Sequence, residues 1–488
     1  FATAEKKVEK RRNSATYYIL LMAFLLIGGL MLFANLGDTA LCEWDEARHG
    51  TNAYEMMQRG EMVVATYRGE VDVWNLKPPL SEWCIMLGYR LFGYNGWGLR
   101  FYSAFSGFCT LLVVAVWIKK RRGKLASLLA LMAFLACRTV YDLHFARYGD
   151  ADALFVLFYT ISMLCMMDSV RNVRWLYGSA LAFGFAFMAK GFHAALIPVT
   201  CLLYTLWAGV LKRLKPRHFA ALIGLGLLPV LPWAALRYGY DGFAFLGRML
   251  TQDVLTRATT VLEGHQGDGM YYVNLLWNMP VVKLALGVSL AALIDGWVAH
   301  KRLTNLQKGL LLWGLVPLAA FSLCVSKLKW YLDCTLPVYA LAIGTGCVSL
   351  INRAGRFKWL QGCIAAAMTI TLCLWIYGNW QYVSNGTVQD DFQNCIQGYC
   401  DRDVDAQTPA YIAYVYPEPS NVWRQDDLLC AQLYGDLDCL DGGMEAFGAT
   451  EEHAFLLCMK DGIENWQDME NYALIYEDHR VLMYDNLY

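Results

Sequence analysis

Apolar residues run through this chain in long blocks separated by short charged stretches, the pattern of a polypeptide threaded repeatedly through a bilayer. A spanning helix needs about 20 mostly apolar residues, because backbone groups in hydrocarbon must bond within their own segment. Eleven such segments are marked, roughly over residues 15–36, 99–118, 125–141, 152–170, 175–189, 191–211, 218–236, 276–299, 308–325, 331–351 and 359–379. The fifth and sixth are nearly fused. Beyond residue 380 the pattern changes to short strand-like runs, YIAYVY at 411–416, AFLLCM at 454–459, YALIY at 472–476 and VLMY at 481–484, between helix-compatible polar stretches. The expected fold is therefore an α-helical polytopic membrane protein with about 11 transmembrane helices over residues 1–379, followed by a small soluble α/β domain over 380–488.

Composition agrees with the pattern. Hydrophobic residues make up 57% and charged residues 17% of the 488, against roughly 45–50% and about 25% in soluble domains. A net charge of −1 gives no reason to expect nucleic-acid binding. The balance hides an asymmetry: residues 380–488 hold 21 acidic and four basic side chains, leaving 37 basic and 21 acidic before them. The chain opens on Phe1, so its start is expected to be trimmed.

Basic clusters fall on alternate loops: KKVEKRR at 6–12, KKRRGK at 119–124, RNVR at 171–174, KRLKPRH at 212–218, HKR at 300–302 and NRAGRFK at 352–358. By the positive-inside rule these loops are cytoplasmic. The other side then receives residues 37–98, short turns near 142–151, 190 and 326–330, a loop at 237–275 and the acidic tail. Within 37–98, Glu46 to Arg59 and Pro79 to Leu91 read as amphipathic helices lying at the membrane surface. Padding of the bundle's outer ends is the other reading. In the tail, Cys395 with Cys400 and Cys430 with Cys439 are the nearest pairs for disulfides, and Cys458 leaves the count odd. No strong metal-ligand spacing occurs.

Candidate chemistry lies on the external side. Glu43, Asp45, Glu46, Arg48 and His49 crowd behind the first span, where charges beside hydrocarbon are costly and point to function; a solvated cap on the span is the alternative. Lys77 precedes two prolines and suits an anion as a point charge. His144, Arg147, Asp150 and Asp152 fall within nine residues, and Asp152 reads equally as a helix cap and as a functional acid. Lys190, Arg257, Lys327 and Lys329 run against the positive-inside bias. Gathered around one cavity they would favour a phosphate; scattered, they would be interface anchors. Carboxylates mixed with cations suit transfer of a group from a phosphate leaving group to a hydroxyl, the base taking the acceptor proton and the cations holding the departing anion.

Six motifs occur in an order that resembles the polyprenyl-phosphate-sugar-dependent glycosyltransferases of the GT-C fold, which include lipid A aminoarabinose transferases and protein O-mannosyltransferases. They are DEARHG at 45–50, LKPPL at 76–80 with SEWCIMLGYRLFG after it, the helix start at Asp152, AKG at 189–191, Pro232-Trp233 with GHQGDGMYYV at 264–273, and SKLKWYLDCTLP at 326–337. The resemblance covers roughly residues 15–340 and does not specify the sugar. It implies that Asp45 is the essential acid of the first external loop, beside Glu46 and Arg48, and Asp152 a second acid with Asp150 as competitor. It implies further that Lys77, Lys190 and Lys327 face the lipid phosphate and that Tyr331 is the aromatic after the Ser-Lys motif. Many relatives carry an acid before the first-loop lysine that, with a histidine in the large external loop, holds a divalent ion. Leu76 stands in that place although His265 is present, so the expectation is of no metal, the alternative being a divalent ion held by His265 with Glu82 or His49 in place of the missing acid.

The implied activity is inverting transfer of a sugar from a polyprenyl-phosphate donor to an extracytoplasmic acceptor: lipid A or another glycolipid, a polysaccharide or a protein. Asp45 would position or deprotonate the acceptor hydroxyl, Arg48, Lys77, Lys190, Arg257 and Lys327 would hold the phosphate, and the lipid tail would enter between spans. The setting implied is a bacterial inner membrane with site and tail outside. A lipid or polysaccharide transporter without catalysis is the rival.

Overall fold

A computed structural model describes residues 2–256, 259–261, 264, 266–300, 302–386, 388–400, 407–414, 422–462 and 469–487. All eleven apolar segments are helical in it. Among the described residues six stretches are long and apolar enough to cross a membrane: Ser14–Phe33, Gly96–Arg122, Trp175–Trp207, Asn305–Leu323, Lys329–Arg353 and Lys358–Asn385. Two bent pairs raise this to eight, Pro216–Leu227 with Val230–Asp241 at 54° and Tyr271–Trp277 with Pro280–Ile294 at 87°. Pro229 and Pro280 stand at those bends, where a missing N–H and a fixed φ break the helical ladder. The remaining expected segments are the shorter helices Lys124–Leu135 and Asp152–Asp168.

The stretch 175–207 reverses on itself. Arg213 donates to the carbonyls of Ser169 and Val170 (2.7 and 3.0 Å), Tyr204 to that of Met167 (3.3 Å), and Tyr177 pairs with His218 (2.7 Å). Both its ends therefore lie at one end of the bundle, and the chain turns at Gly191, whose φ of +58° is ready for such a bend. The fifth and sixth segments are thus a hairpin.

The helices Lys124–Leu135 and Leu336–Arg353 are buried over most of their length. Ser14–Phe33 and Lys358–Asn385 lie at the edge and turn Ile19, Leu26, Trp359 and Leu374 outward, an apolar surface that water would not tolerate. The chain is an integral membrane protein. The basic loops at 119–124, 171–174 and 212–218 share one end, where Arg121 pairs with Asp168, Arg213 donates to Ser169 and Val170, and Lys124 donates to Ser14. The first long loop and the C-terminal region share the other.

In that loop the helices are Asp45–Arg59 and Leu80–Phe92, joined past a two-stranded ribbon, β1 (Thr66–Tyr67) and β2 (Glu70–Val71). Asp45–Arg59 is largely buried, because the helix Gln425–Gly435 covers it: a Cβ on Gly50 would come within 2.5 Å of Leu429. The C-terminal strands β3 (Pro409–Ala413), β4 (Asp438–Cys439), β5 (Phe455–Met459), β6 (Ala473–Glu477) and β7 (Val481–Asp485) form a mixed sheet in the order β4-β3-β5-β7-β6, parallel in its first three strands and antiparallel in its last three. The expected pairs, Cys395 with Cys400 and Cys430 with Cys439, do not form; among the described residues no cysteine is joined in a disulfide. Cys395 and Cys400 are five residues apart on the helix Asp391–Cys400, which aims them to different sides.

One buried ion pair fastens this end together. Arg100, near the start of Gly96–Arg122, donates through Nε and Nη2 to both oxygens of Glu46 (2.7 and 2.8 Å) and to the carbonyls of Leu36, Thr39 and Ala40. Glu46 also accepts from the amides of Cys42 and Gly149 (2.8 and 2.6 Å). Removing one partner of such a pair leaves an uncompensated buried charge, at a cost of about 3–5 kcal/mol. Arg100→Met is therefore expected to lower the thermal midpoint of the detergent-purified protein sharply, whereas Arg90→Met, on an exposed face, leaves it in place. An unchanged midpoint in Arg100→Met would remove the pair as the organiser of this end.

Candidate active site

Four segments converge beneath the C-terminal region on a small cavity of about 50 Å³. Asp45 begins the helix Asp45–Arg59, Lys77 comes from the proline turn, Asp150 and Asp152 from the start of Asp152–Asp168, and Lys190 from the end of Trp175–Lys190. His193, Leu328, Trp330 and Tyr331 complete the wall.

Local conformation aims these groups. Trp44 holds φ 70° and ψ −118°, a strained state for a bulky side chain that turns the chain abruptly into the helix. The helix N-terminus favours a carboxylate on Asp45. Lys77 precedes Pro78, which confines it to extended backbone and carries its stem across the turn. Its Nζ donates to Asp45 Oδ1 (2.9 Å) and to His49 Nε2 (3.2 Å). His49 in turn donates from Nδ1 to Glu82 (2.6 Å), which Asn75 also supports (2.9 Å).

Asp45 Oδ2 lies 3.7 Å from His144 Nδ1, which donates to Asp150 Oδ2 at 2.5 Å while the ring stacks on Trp330 at 3.7 Å. Deeper in, Lys190 and Asp152 form a buried ion pair. Burial disfavours the charge on Asp45, but the opposing charges of Lys77, His144 and His49 together outweigh it, so the carboxyl is held below its ordinary range. Burial likewise pulls His144 down, yet the bond to Asp150 and the charges of Asp150 and Asp45 win, and its pKa is raised above 6.5. Asp150 is driven low for the complementary reason.

The site residues expected from sequence divide into three groups. Asp45, Lys77, Asp152, Lys190 and Tyr331 meet in the cavity, with Asp150. Glu46, Arg48 and Lys327 do not. Glu46 is consumed by Arg100; Arg48 chelates Asp72 (2.7 and 2.8 Å) and stacks on Tyr67 at 3.6 Å; Lys327 donates to the carbonyls of Ser322 and Cys324 (2.9 and 2.7 Å). In this geometry each is engaged by a partner within the protein, and none of the three lines the cavity. Arg257 and His265 lie outside the described residues. His193 and Trp330 went unread, although each stands three residues beyond a lysine already singled out, Lys190 and Lys327.

One atom each of Asp45, His49 and Asp150 lies within 4.8 Å of the other two, a spacing that suits a metal ion. The ammonium of Lys77, however, already bonds two of the three. It supplies there the positive charge an ion would supply, so these residues fit a divalent metal poorly and no step is routed through one.

The chain and its fold have counterparts among known proteins. Residues 76–235 match the family described as dolichyl-phosphate-mannose-protein mannosyltransferase. Over nearly its whole length the chain superposes on ArnT from Cupriavidus metallidurans bound to undecaprenyl phosphate, with a TM-score of 0.69 at 17% identity, covering 96% of this chain and 98% of that one. The fold is that of the GT-C glycosyltransferases. The archaeal oligosaccharyltransferase AglB from Archaeoglobus fulgidus shares the GT-C fold more distantly, with a TM-score of 0.57 at 8% identity over 94% of this chain and 70% of that one. Among curated sequences, an undecaprenyl phosphate-alpha-4-amino-4-deoxy-L-arabinose arabinosyl transferase of Pseudomonas fluorescens is 32% identical over 70% of this chain and 61% of its own length. One of the same description from Yersinia enterocolitica is 28% identical over 67% and 59%. The chain thus spans about three fifths of the length of these curated relatives. The resemblance drawn from the six motifs is borne out in sequence and in fold.

A raised His144 pKa makes the His144–Asp150 pair a stabilising contact that is fully present below pH 6.5 and is lost as pH rises through the folded value. The thermal midpoint should therefore fall as pH rises above about 6.5 in the wild type, and fall less in His144→Gln. Parallel pH profiles for the two proteins would show that the pair does not hold the charge assigned to it.

Proposed function

We propose that this chain is a membrane glycosyltransferase that moves a sugar from a polyprenyl-phosphate donor to an acceptor hydroxyl. The observation that carries the reading is the convergence of Asp45, Asp150 and Asp152 with Lys77 and Lys190 on one cavity at the end of an apolar bundle. Lipid is within reach there, and so are paired charges suited to a phosphate and a proton. The activity of the P. fluorescens relative supports an undecaprenyl-phosphate-linked amino sugar as the donor class. A glycolipid such as lipid A, a polysaccharide or a protein is the acceptor class.

In the proposed reaction the acceptor oxygen attacks the anomeric carbon as the carbon–oxygen bond to phosphate breaks, with inversion. The acceptor's proton passes to Asp45 and polyprenyl phosphate leaves. Lys77 keeps Asp45 ionised in the resting site, and Lys77 and Lys190 exchange their carboxylate partners for the phosphate when the donor enters. His144 and Asp150 hold the neighbouring wall of the cavity. Residues 1–379 form the catalytic membrane domain in this reading, and 380–488, which cover Asp45–Arg59, border the acceptor side. The setting proposed is a bacterial inner membrane with cavity and C-terminal region extracytoplasmic. The basic loops at the opposite end of the bundle support that orientation. A transporter would place its charges along mid-span helices; here they sit at helix ends.

Purified protein given a labelled polyprenyl-phosphate sugar and crude acceptor lipid should release polyprenyl phosphate. Asp45→Asn keeps the shape but cannot take a proton, so turnover should drop by roughly 10²- to 10⁴-fold while donor affinity holds. Lys77→Ala should weaken both, and because it also frees the Asp45 carboxyl to rise, the acid limb of its residual rate profile should move to higher pH. Near-normal turnover in Asp45→Asn would transfer the role of base to Asp152.

A further inference from the structure

Beside the catalytic cavity lies a larger one of about 550 Å³, bordered by the helices Pro280–His300 and Lys358–Asn385 and by the segment that follows Lys124–Leu135. Trp330 lines both, so the two adjoin at that ring. The walls of the larger cavity are mainly apolar, with Leu276, Met279 and Leu336 among them. Two carboxyls nevertheless face it, and they differ. Asp142 is partly exposed and pairs with Arg138 (3.3 Å), whose guanidinium lies 3.1 Å over the ring of Tyr382. Asp333 is 2% exposed, its Oδ2 is buried without a hydrogen-bond partner, and among the described residues no cation forms an ion pair with it.

A carboxyl left in that state is expensive. Asp333 belongs to the tight turn Lys329–Thr335, at the head of the apolar stretch Lys329–Arg353. An ionisable group there needs a partner, and packing alone does not provide one. The donors nearby are committed elsewhere. Asn379 gives Nδ2 to the carbonyl of Leu135 (3.1 Å), Trp313 gives Nε1 to that of Cys334 (2.8 Å), and Lys190 is bound to Asp152. In a turn of three residues Trp330 and Asp333 fall on the same side, so ring and carboxyl line the larger cavity together. Asp152 and Lys190 of the catalytic cavity are near enough for their charges to act on Asp333. The carboxyl therefore stands close to the reacting groups while facing the neighbouring space.

We propose that Asp333 selects the sugar: its carboxylate receives the ammonium of an amino sugar whose phosphate is held by Lys77 and Lys190. The inference rests on the glycosyl-transfer reading above and adds to it the residue that reads the sugar. An ammonium brings a full charge and three N–H donors, whereas a hydroxyl brings one donor and no charge. Only the first completes a buried carboxylate. With its phosphate in the catalytic cavity, the donor would extend its ring past Trp330, the anomeric carbon toward Asp45 and the amine on the far side. The contact moves no proton and so acts in binding and orientation.

The test uses full-length protein in detergent and compares the binding of three lipids. These are undecaprenyl phosphate, undecaprenyl phosphate bearing 4-amino-4-deoxy-L-arabinose, and the same sugar lipid with a hydroxyl in place of the amine. The wild type is expected to bind the amino-sugar lipid roughly ten- to a hundredfold more tightly than its hydroxyl analogue. Asp333→Asn should bind those two alike and undecaprenyl phosphate as the wild type does. Asp142→Asn, at a carboxyl that already has Arg138, should keep the preference. Asp333→Leu, an apolar side chain in an apolar wall, serves should Asp333→Asn fail to fold. Wild-type protein that binds undecaprenyl phosphate without telling the two sugar lipids apart would overturn the role of Asp333 and leave glycosyl transfer standing. So would a folded Asp333→Asn that still tells them apart, or loss of the preference in Asp142→Asn. Failure of the wild type to bind undecaprenyl phosphate at all would overturn both the inference and the reading beneath it.

Discussion

Glu46 and Arg100 bind each other in the interior of the bundle's functional end, and the positions of the charged groups around the cavity follow from that pair. Glu46 is the neighbour of Asp45, and its carboxylate also holds the amide of Gly149, the neighbour of Asp150. Arg100 ties both to the carbonyls that end the first span. A guanidinium offers five donors in a fixed plane, so one residue can satisfy a carboxylate and three carbonyls at once. Without it, the segment leading into Trp44 would lose its contacts to Arg100, and Asp45 and Asp150 would lose their common anchor.

The cavity itself is electrically balanced. Three carboxyls face Lys77, Lys190 and a charged His144 in a setting where water screens poorly. Such a site does not need an anion to be stable, but it accepts one when the cations can change partners. Lys77 is best placed to do so, since it and Asp45 are the part-exposed members, each with about a fifth of its side chain open, whereas Lys190 and Asp152 are closed off. Sealing the charges at the ends of helices also keeps the lipid-facing surface apolar, as Ile19 and Leu374 show.

Hydrophobic runs made the helices legible. The short apolar runs beyond 450 became strands as their pattern indicates, with the pairing order hidden because register depends on partners distant in the chain. Legibility of the cavity was uneven for a physical reason. Asp45, Lys77, Asp152 and Lys190 are charges beside apolar blocks, which sequence displays directly. Arg48 and Glu46 carry the same signal, but Asp72 and Arg100 neutralise them, and a salt partner 24 or 54 residues away is invisible in one dimension. Trp330 shows the opposite failure, an apolar ring that joins the cavity by stacking on His144. The cysteines of the C-terminal region read as bridge formers by compartment alone, and helix geometry keeps Cys395 and Cys400 apart.

The central claim is that the phosphate of a polyprenyl donor enters the cavity and takes Lys77 from Asp45. An experimental structure of the protein with polyprenyl phosphate tests it most directly. The account predicts phosphate oxygens within hydrogen-bonding distance of Lys77 Nζ, with the 2.9 Å contact to Asp45 opened and Asp45 left facing the cavity. A phosphate bound instead at Arg48 or Lys327, with the Lys77–Asp45 pair intact, would contradict it.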